Sequence, residues 1–229
     1  MAHHPVSETR AALIRAALAI IGRDGVEAAT TRAIAAEAGL ALASFHYAFR
    51  SRDELMAELI RTAVDEEDNA ISPGYADESF DPATAPTAYQ HAQIAFHAYV
   101  DSLIADPDRE KAMLALTMWA VAKAETRPLA AIQYSKYDTL ARSAVEAVTA
   151  LTGVRWRMPL DEVSRFVVVL SDGITLSWLI HNDAEQTHRM ADAAARALLA
   201  QAVSPGDYDY DTLPEPGLPG YRADEGEER

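Results

Sequence analysis

The 229-residue chain contains no cysteine. It therefore has no disulfide framework and no thiolate-held metal available to it. Long apolar runs are also missing near the N-terminus, where LIRAALAII is the most apolar stretch. Arg15 interrupts that stretch, and it is too short to span a bilayer. No signal peptide, membrane span or membrane partner is expected, and the expected location is the cytoplasm. Cations are scarce as well: 20 Lys and Arg stand against 35 Asp and Glu, a formal net charge of −15. Phosphate contacts need Lys and Arg, so a deficit of this size argues against nucleic acid as a partner of the whole surface.

The deficit is unevenly distributed. Residues 1–61 hold seven basic and seven acidic side chains, so the entire −15 falls on residues 62–229. The first 61 residues form an electrostatically distinct surface.

Nearly every apolar run repeats with the helical period, and no stretch alternates as a strand between turns, so the expected fold class is all-α. Ser7 opens a first amphipathic helix that stops near Gly22 and Gly25. A short helix follows from a cap at Thr30 or Thr31 and ends at Gly39. A second short helix, LASFHYAF, comes after the bend, and Ser51 caps a longer one. Residues 72–86 hold three prolines and no periodicity and are expected to be a loop. Five further helical patterns fill 87–203. From Ser204 onward the chain carries eight acidic residues, four prolines and four glycines, a composition expected to remain a disordered tail.

The stretch EAGLALASFHYAFRSRDEL, residues 37–55, crowds Phe45, His46, Tyr47 and Phe49 into one short helix after a glycine bend. Two short helices so joined, on a supporting helix, match a helix-turn-helix unit. At about 100° per residue, Ala43, Ser44, His46 and Tyr47 share one side of the second helix and Phe45 points to the other. Phe45 and Phe49 would anchor the helix, leaving imidazole and phenol groups facing outward toward phosphates or base edges.

Residues Gly25 to Leu55, with Thr31-Arg32, Ile34-Ala35, Ala38-Gly39, Ser44-Phe45-His46-Tyr47, Phe49 and Ser51-Arg52 in register, resemble the DNA-binding domain of TetR-family transcriptional regulators. The resemblance implies that Thr31 and Arg32 approach the backbone or groove edge. It places Leu42, Ala43, Ser44 and His46 at the bases, Tyr47 on a phosphate, and Arg52 on a phosphate near the start of the fourth helix. Ala41, Leu42 and Ala48 depart from the family's usual polar residues, and Leu42 and Ala43 suit thymine methyl groups. The implied organisation is a helix-turn-helix head over 1–60, a helical ligand-sensing and dimerisation domain over 61–203, and the acidic tail over 204–229. The implied partners are a palindromic DNA operator, a small-molecule effector and a second copy of the chain.

In the later helices, Tyr89, Gln93, Phe96, His97, Val100 and Ile104 fall on one stripe, mixing two polar groups among apolar ones as a ligand pocket requires. Gln93, Phe96, His97, Trp119, Tyr137 and Trp178 are the expected ligand-binding residues; for any one of them an ordinary core position is the competing reading. Asp172, inside an apolar helix, reads as a structural acid, a ligand contact or a dimer contact. The breadth of Phe166, Val167, Leu170, Ile174, Trp178, Leu198 and Leu199 on the last two helices predicts a dimer surface. His181, Glu185 and His188 straddle a helix break and read as solvated polar groups, so no metal or cofactor is expected. No nucleophile, base or phosphate loop has a context that supports catalysis. The expected function is a dimeric repressor that binds its operator and is released by a small molecule; the alternatives are an activator, a regulator controlled by a protein partner, and an all-α enzyme or carrier with a helix-turn-helix-like head.

Overall fold

A computed structural model describes residues 6–71 and 87–203, with side chains described outside 63–71. The expected loop over 72–86 and the acidic tail from Ser204 lie outside the described residues. The described chain is helical from end to end: α1 (Val6–Asp24), α2 (Thr31–Glu37), α3 (Leu42–Ala48), α4 (Arg52–Ile71), α5 (Ala88–Ala105), α6 (Pro107–Val121), α7 (Arg127–Thr152), α8 (Leu160–His181) and α9 (Ala184–Leu199). A single 3-10 turn, Val26–Ala28, links α1 to α2. Extended pairing among the described residues is limited to one bridge between Trp156 and Ala202.

The helix starts follow from local side-chain chemistry. Thr30 accepts from the Ala33 amide at 3.2 Å, Ser51 from Glu54 at 3.1 Å, and Asp183 from Gln186 at 2.9 Å. Thr87 and Gln90 form a reciprocal capping box at the start of α5. Asp106 caps α6, with Pro107 in the first turn, where a missing N–H costs nothing. Gly39 closes α2 at φ +68°, a left-handed conformation that favours glycine. The Gly39 and Leu40 amides then turn back onto the carbonyls of Ala36 and Ala35 at 3.0 and 2.8 Å. That closure fixes the angle between α2 and α3.

Two apolar cores result. The first takes Leu13, Ile20 and Ile21 of α1, Ile34 of α2, Phe45 of α3, and Leu55, Leu59 and Ile60 of α4. It continues without a break into Ala112, Met113 and Leu116 of α6 and Ala130 of α7. The second joins α5, the end of α7, α8 and α9 through Phe96, Val100, Val145, Val163, Trp178, Ala191 and Leu198. At about 1.5 Å per residue, the 26 residues of α7 span roughly 39 Å and touch both cores. α8 is long and apolar enough to cross a membrane by length and composition. Its apolar character is divided between the second core on one side and an uncovered stripe on the other.

The seven residues expected on a dimer surface turn inward. Ile174, Trp178 and Leu198 are buried in the chain's own second core, and Phe166, Val167, Leu170 and Leu199 pack against it. The exposed large apolar side chains on these helices are Val169, Leu176, Ile180 and Met190.

The head meets the remaining helices at a point of very close backbone approach. A Cβ placed on Gly22 of α1 would stand 2.2 Å from the carbonyl oxygen of Asp108, in the first turn of α6. The obstructing atom belongs to backbone and cannot swing aside. Gly22→Ala is therefore expected to destabilise the protein by about 1–3 kcal/mol, the usual penalty for overpacking. A lowered denaturant midpoint with an unchanged slope is the expected measurement.

Candidate nucleic-acid interface

α3 separates its residues sharply by side. Phe45 and Ala48, with Phe49 just beyond the helix, are buried in the first core, while Leu42, Ala43, His46 and Tyr47 are exposed and Ser44 lies between. Tyr47 is 67% exposed, a large value for an aromatic residue with no packing role in this chain. The rings of Phe45 and Phe49 lie 5.9 Å apart, and Phe45 meets His46 edge to face at 5.6 Å. Thr31 and Arg32 open α2, Arg32 exposed and Thr31 half-buried.

Arg52 behaves differently from the other expected DNA-facing residues. It is half-buried; its Nε donates to the Ala29 carbonyl at 2.8 Å and one terminal nitrogen donates to the Val26 carbonyl. These bonds clamp the 3-10 turn between α1 and α2 to the start of α4; the Val26 carbonyl, which already accepts the Ala29 amide at 3.2 Å, takes the arginine as a second donor.

Arg10 went unnoticed in the sequence and has the densest set of contacts in the head. Its guanidinium lies 4.1 Å from the Phe49 ring centroid, donates to the Ala48 carbonyl at 2.6 Å, and sits 3.8 and 3.6 Å from the carboxylates of Glu54 and Glu58. One side chain of α1 thus caps the C-terminal end of α3, where a cation is favoured, and ties it to α4. The only sequence signal available was an arginine among apolar helix positions, which reads equally well as a solvated face.

The six expected ligand-binding residues fall into three places. Phe96 and Trp178 are buried in the second core. Trp119 and Tyr137 are half-buried against the first. Gln93 and His97 join α5 to α9: Gln93 Nε2 donates to Asp192 Oδ1 at 2.7 Å, and His97 Nε2 lies 2.9 Å from the same oxygen. Tyr137 ends an internal polar chain that sequence reasoning also missed. Its hydroxyl accepts from Gln133 Nε2 at 3.1 Å, and Gln133 Oε1 lies 3.1 Å from the Thr117 hydroxyl. Gln133 is 1% exposed, so these bonds satisfy an amide that would otherwise be costly to bury.

The Tyr134 hydroxyl donates to Asp172 at 3.1 Å. Burial, the Asp172 charge and this bond push the Tyr134 phenol up to about 12, so it stays protonated as the donor. Burial also raises the Asp172 carboxyl, with the Tyr134 bond opposing. Asp172 nevertheless borders solvent, on the same exposed stripe as Val169 and Leu176. A shallow groove of about 440 Å³ opens beside this stripe, lined by Met158, Asp161, Glu162, Arg165, Phe166 and Val169, and includes none of the six expected residues.

Among the described residues, no three His, Cys, Asp or Glu side chains are grouped to hold a metal ion. His181 is exposed at the end of α8, Glu185 pairs with Arg189, and His188 turns toward His97.

Comparison with known proteins bears on this head directly. Residues 13–59, from α1 into α4, match the family model described as bacterial regulatory proteins, tetR family. The HTH-type nicotine-responsive transcriptional repressor HdnoR of Paenarthrobacter nicotinovorans is 29% identical over 175 residues, covering 75% of this chain and 84% of that protein. A transcriptional regulator from Rhodococcus sp. Rha1 superimposes with a TM-score of 0.64 at 21% identity, covering 86% of this chain and 99% of that one. The multidrug binding protein EbrR, complexed with imidazole, superimposes at 0.57 with 23% identity, covering 86% and 96%. The head over residues 13–59 thus matches a TetR-type helix-turn-helix domain, and the chain shares its all-helical architecture with solved transcriptional regulators over most of its length.

Proposed function

We propose that this regulator is a repressor that binds a palindromic DNA operator as a homodimer and leaves it when a small molecule occupies the helices beyond the head. The observation that carries the proposal is the two-sidedness of α3, with Phe45 fully buried and Tyr47 two-thirds exposed. The nicotine-responsive repressor relative supports both the sign of regulation and control by a small organic effector. The head corresponds to residues 1–60, the sensing and dimerising part to 61–203, and 204–229 to a tail. The boundary near residue 60 is one of function, since the first core crosses it.

In this reading Leu42, Ala43, Ser44 and His46 meet base edges, Tyr47 meets a phosphate, and Thr31 and Arg32 flank the groove. Arg52 acts on DNA chiefly by holding the α1–α2 turn in place. Tyr47→Ala is expected to weaken binding to all bound sequences alike, and Ser44→Ala or His46→Ala to alter base preference. Selection of genomic fragments by the purified protein, followed by titration of each variant on the selected operator, measures both effects. Unchanged affinity in Tyr47→Ala would show that α3 docks in another register.

The second copy is placed on the uncovered stripe of α8, where Val169, Leu176 and Ile180 are 58, 50 and 65% exposed. Gly173 stands in the middle of this stripe with nothing within 4 Å of its Cβ position, so packing within the chain gives no reason for glycine there. A mid-helix glycine costs about 1 kcal/mol relative to alanine, and close approach of a partner helix would account for it. Leu176→Glu combined with Ile180→Glu is expected to reduce the mass in light scattering from a dimer to the 24.9 kDa chain and to abolish operator binding.

The effector is proposed to contact Gln93, Phe96, His97, Trp119, Tyr137 and Trp178. These residues lie in separate layers, so binding requires the helices around α7 to part. An effector must favour the DNA-incompetent arrangement to shift the equilibrium at all. Trp119→Ala, with a cavity penalty of about 3–5 kcal/mol, is expected to impair operator release by effector more than operator affinity. Release measured against effector concentration in the folded variant tests this. A wild-type response would remove Trp119 from the site.

A further inference from the structure

The polar cluster between α5 and α9 is more elaborate than packing two helices requires. Four side chains form a chain of contacts: Asp192 Oδ1 to His97 Nε2 at 2.9 Å, His97 Nδ1 to His188 Nδ1 at 2.9 Å, and His188 Nε2 to Asp101 Oδ1 at 3.4 Å. The imidazole planes are inclined by only 14° with centroids 5.0 Å apart. That separation is close to the nitrogen–nitrogen distance plus a ring radius on each side. The rings therefore meet edge to edge in nearly one plane, with their Nδ1 lone-pair directions aimed at each other.

This arrangement suits a proton and not a metal ion. An ion bound by both Nδ1 atoms would need to stand about 2.0–2.1 Å from each, which two opposed nitrogens 2.9 Å apart do not allow along their lone pairs. A hydrogen bond between them needs a single proton, one ring donating and the other accepting. Both outer nitrogens face carboxylates and are best served by carrying protons themselves. With one proton between the Nδ1 atoms and one on each outer nitrogen, the two rings would carry three protons and one cationic charge between Asp192 and Asp101. A fourth proton would set N–H against N–H at the centre and break the link.

We propose that His97 and His188 form a proton-operated latch that holds α5 on α9 while one proton bridges them and releases when both Nδ1 atoms are protonated. The inference goes beyond the regulator reading and does not depend on it. The surroundings supply no competing explanation for such a response. On α9, Arg196 lies near Asp192, and Arg189 is engaged by Glu185. On α5, Gln93 shares Asp192, and His91 is buried with a partner of its own. α8 meets α5 through the Thr175 hydroxyl on Tyr99 and buries Trp178 in the shared core. Its charged Asp172 and Arg165 face Tyr134 and Asp138 of α7, and its His181 is exposed at the helix end. The hydrogen bonds from His97 and then Gln93 hold the Asp192 carboxyl below its ordinary value. A depressed acid contributes stability above its unfolded pKa and loses it only as pH falls through the folded one. Asp192 therefore stays ionised between about pH 8 and about pH 5 and does not itself supply a change in that window.

The test is amide hydrogen exchange in the full-length protein from about pH 8 to about pH 5, expressed as protection relative to the intrinsic rate at each pH. Protection across Thr187–Arg196 is expected to fall in the wild type by about three- to tenfold more than in His188→Asn, the equivalent of one hydrogen bond. Equal pH dependence in the two proteins would overturn the latch. Long-range proton–nitrogen spectra of the wild-type imidazoles give a readout that needs no variant. Protons on both Nε2 atoms and one shared between the Nδ1 atoms near neutral pH support the latch. Two rings titrating independently refute it, whether or not His188→Asn folds.

Discussion

The organisation of the molecule depends on the first core being shared between the head and the helices behind it. Ile20, Ile21, Phe45 and Leu59 of the head are buried in the same cluster as Met113 and Leu116 of α6. Where separate domains meet through polar or weakly packed surfaces, relative motion is the default. Here a displacement of α6 or of the start of α7 must repack the head's own interior, because close-packed cores transmit strain instead of absorbing it. The contact of Gly22 with Asp108 places the least compliant part of this junction where two backbones touch.

Much of the head was legible in the sequence because its residues follow simple geometric rules. The helical period separated Phe45 from Tyr47, the caps at Thr30 and Ser51 marked helix starts, and Gly39 marked the bend. Residues whose role depends on a distant carbonyl were not legible. Nothing local distinguishes Arg52, bonded to Val26 and Ala29, from an arginine aimed at a phosphate. Arg10 reaches Ala48 across 38 positions, and no periodicity registers such a contact.

The later helices show a different difficulty. α8 is apolar on two sides, so its period identified a helix without identifying which side faces inward. The sequence pointed to Leu170 and Ile174 as a dimer surface; the fold turns them toward the second core and leaves Val169, Leu176 and Ile180 uncovered. Gln93 and His97 were recognised as polar groups within an apolar stripe, but their partners His188 and Asp192 stand more than 90 positions away. A pocket lining and a buried cross-link have the same one-dimensional signature. Only the position of the opposing helix separates them.

The engagement of Arg10 and Arg52 inside the head also bears on ion release at a DNA surface. Both guanidiniums are directed to backbone carbonyls, and Arg23 is paired with Asp24 and Glu37. Each phosphate neutralised by a protein cation on B-DNA frees close to one condensed counterion, about 0.9. Three of the seven arginines in the first 61 residues are thereby withdrawn from that exchange, leaving Arg15, Arg32, Arg50 and Arg61 exposed, of which Arg32 and Arg50 precede and follow α3 in the chain. Two such arginines in each half of a dimer would still free about four ions from a docked duplex, so its hold would weaken with salt, and the part that survives concentrated salt would rest on shape and on uncharged contacts.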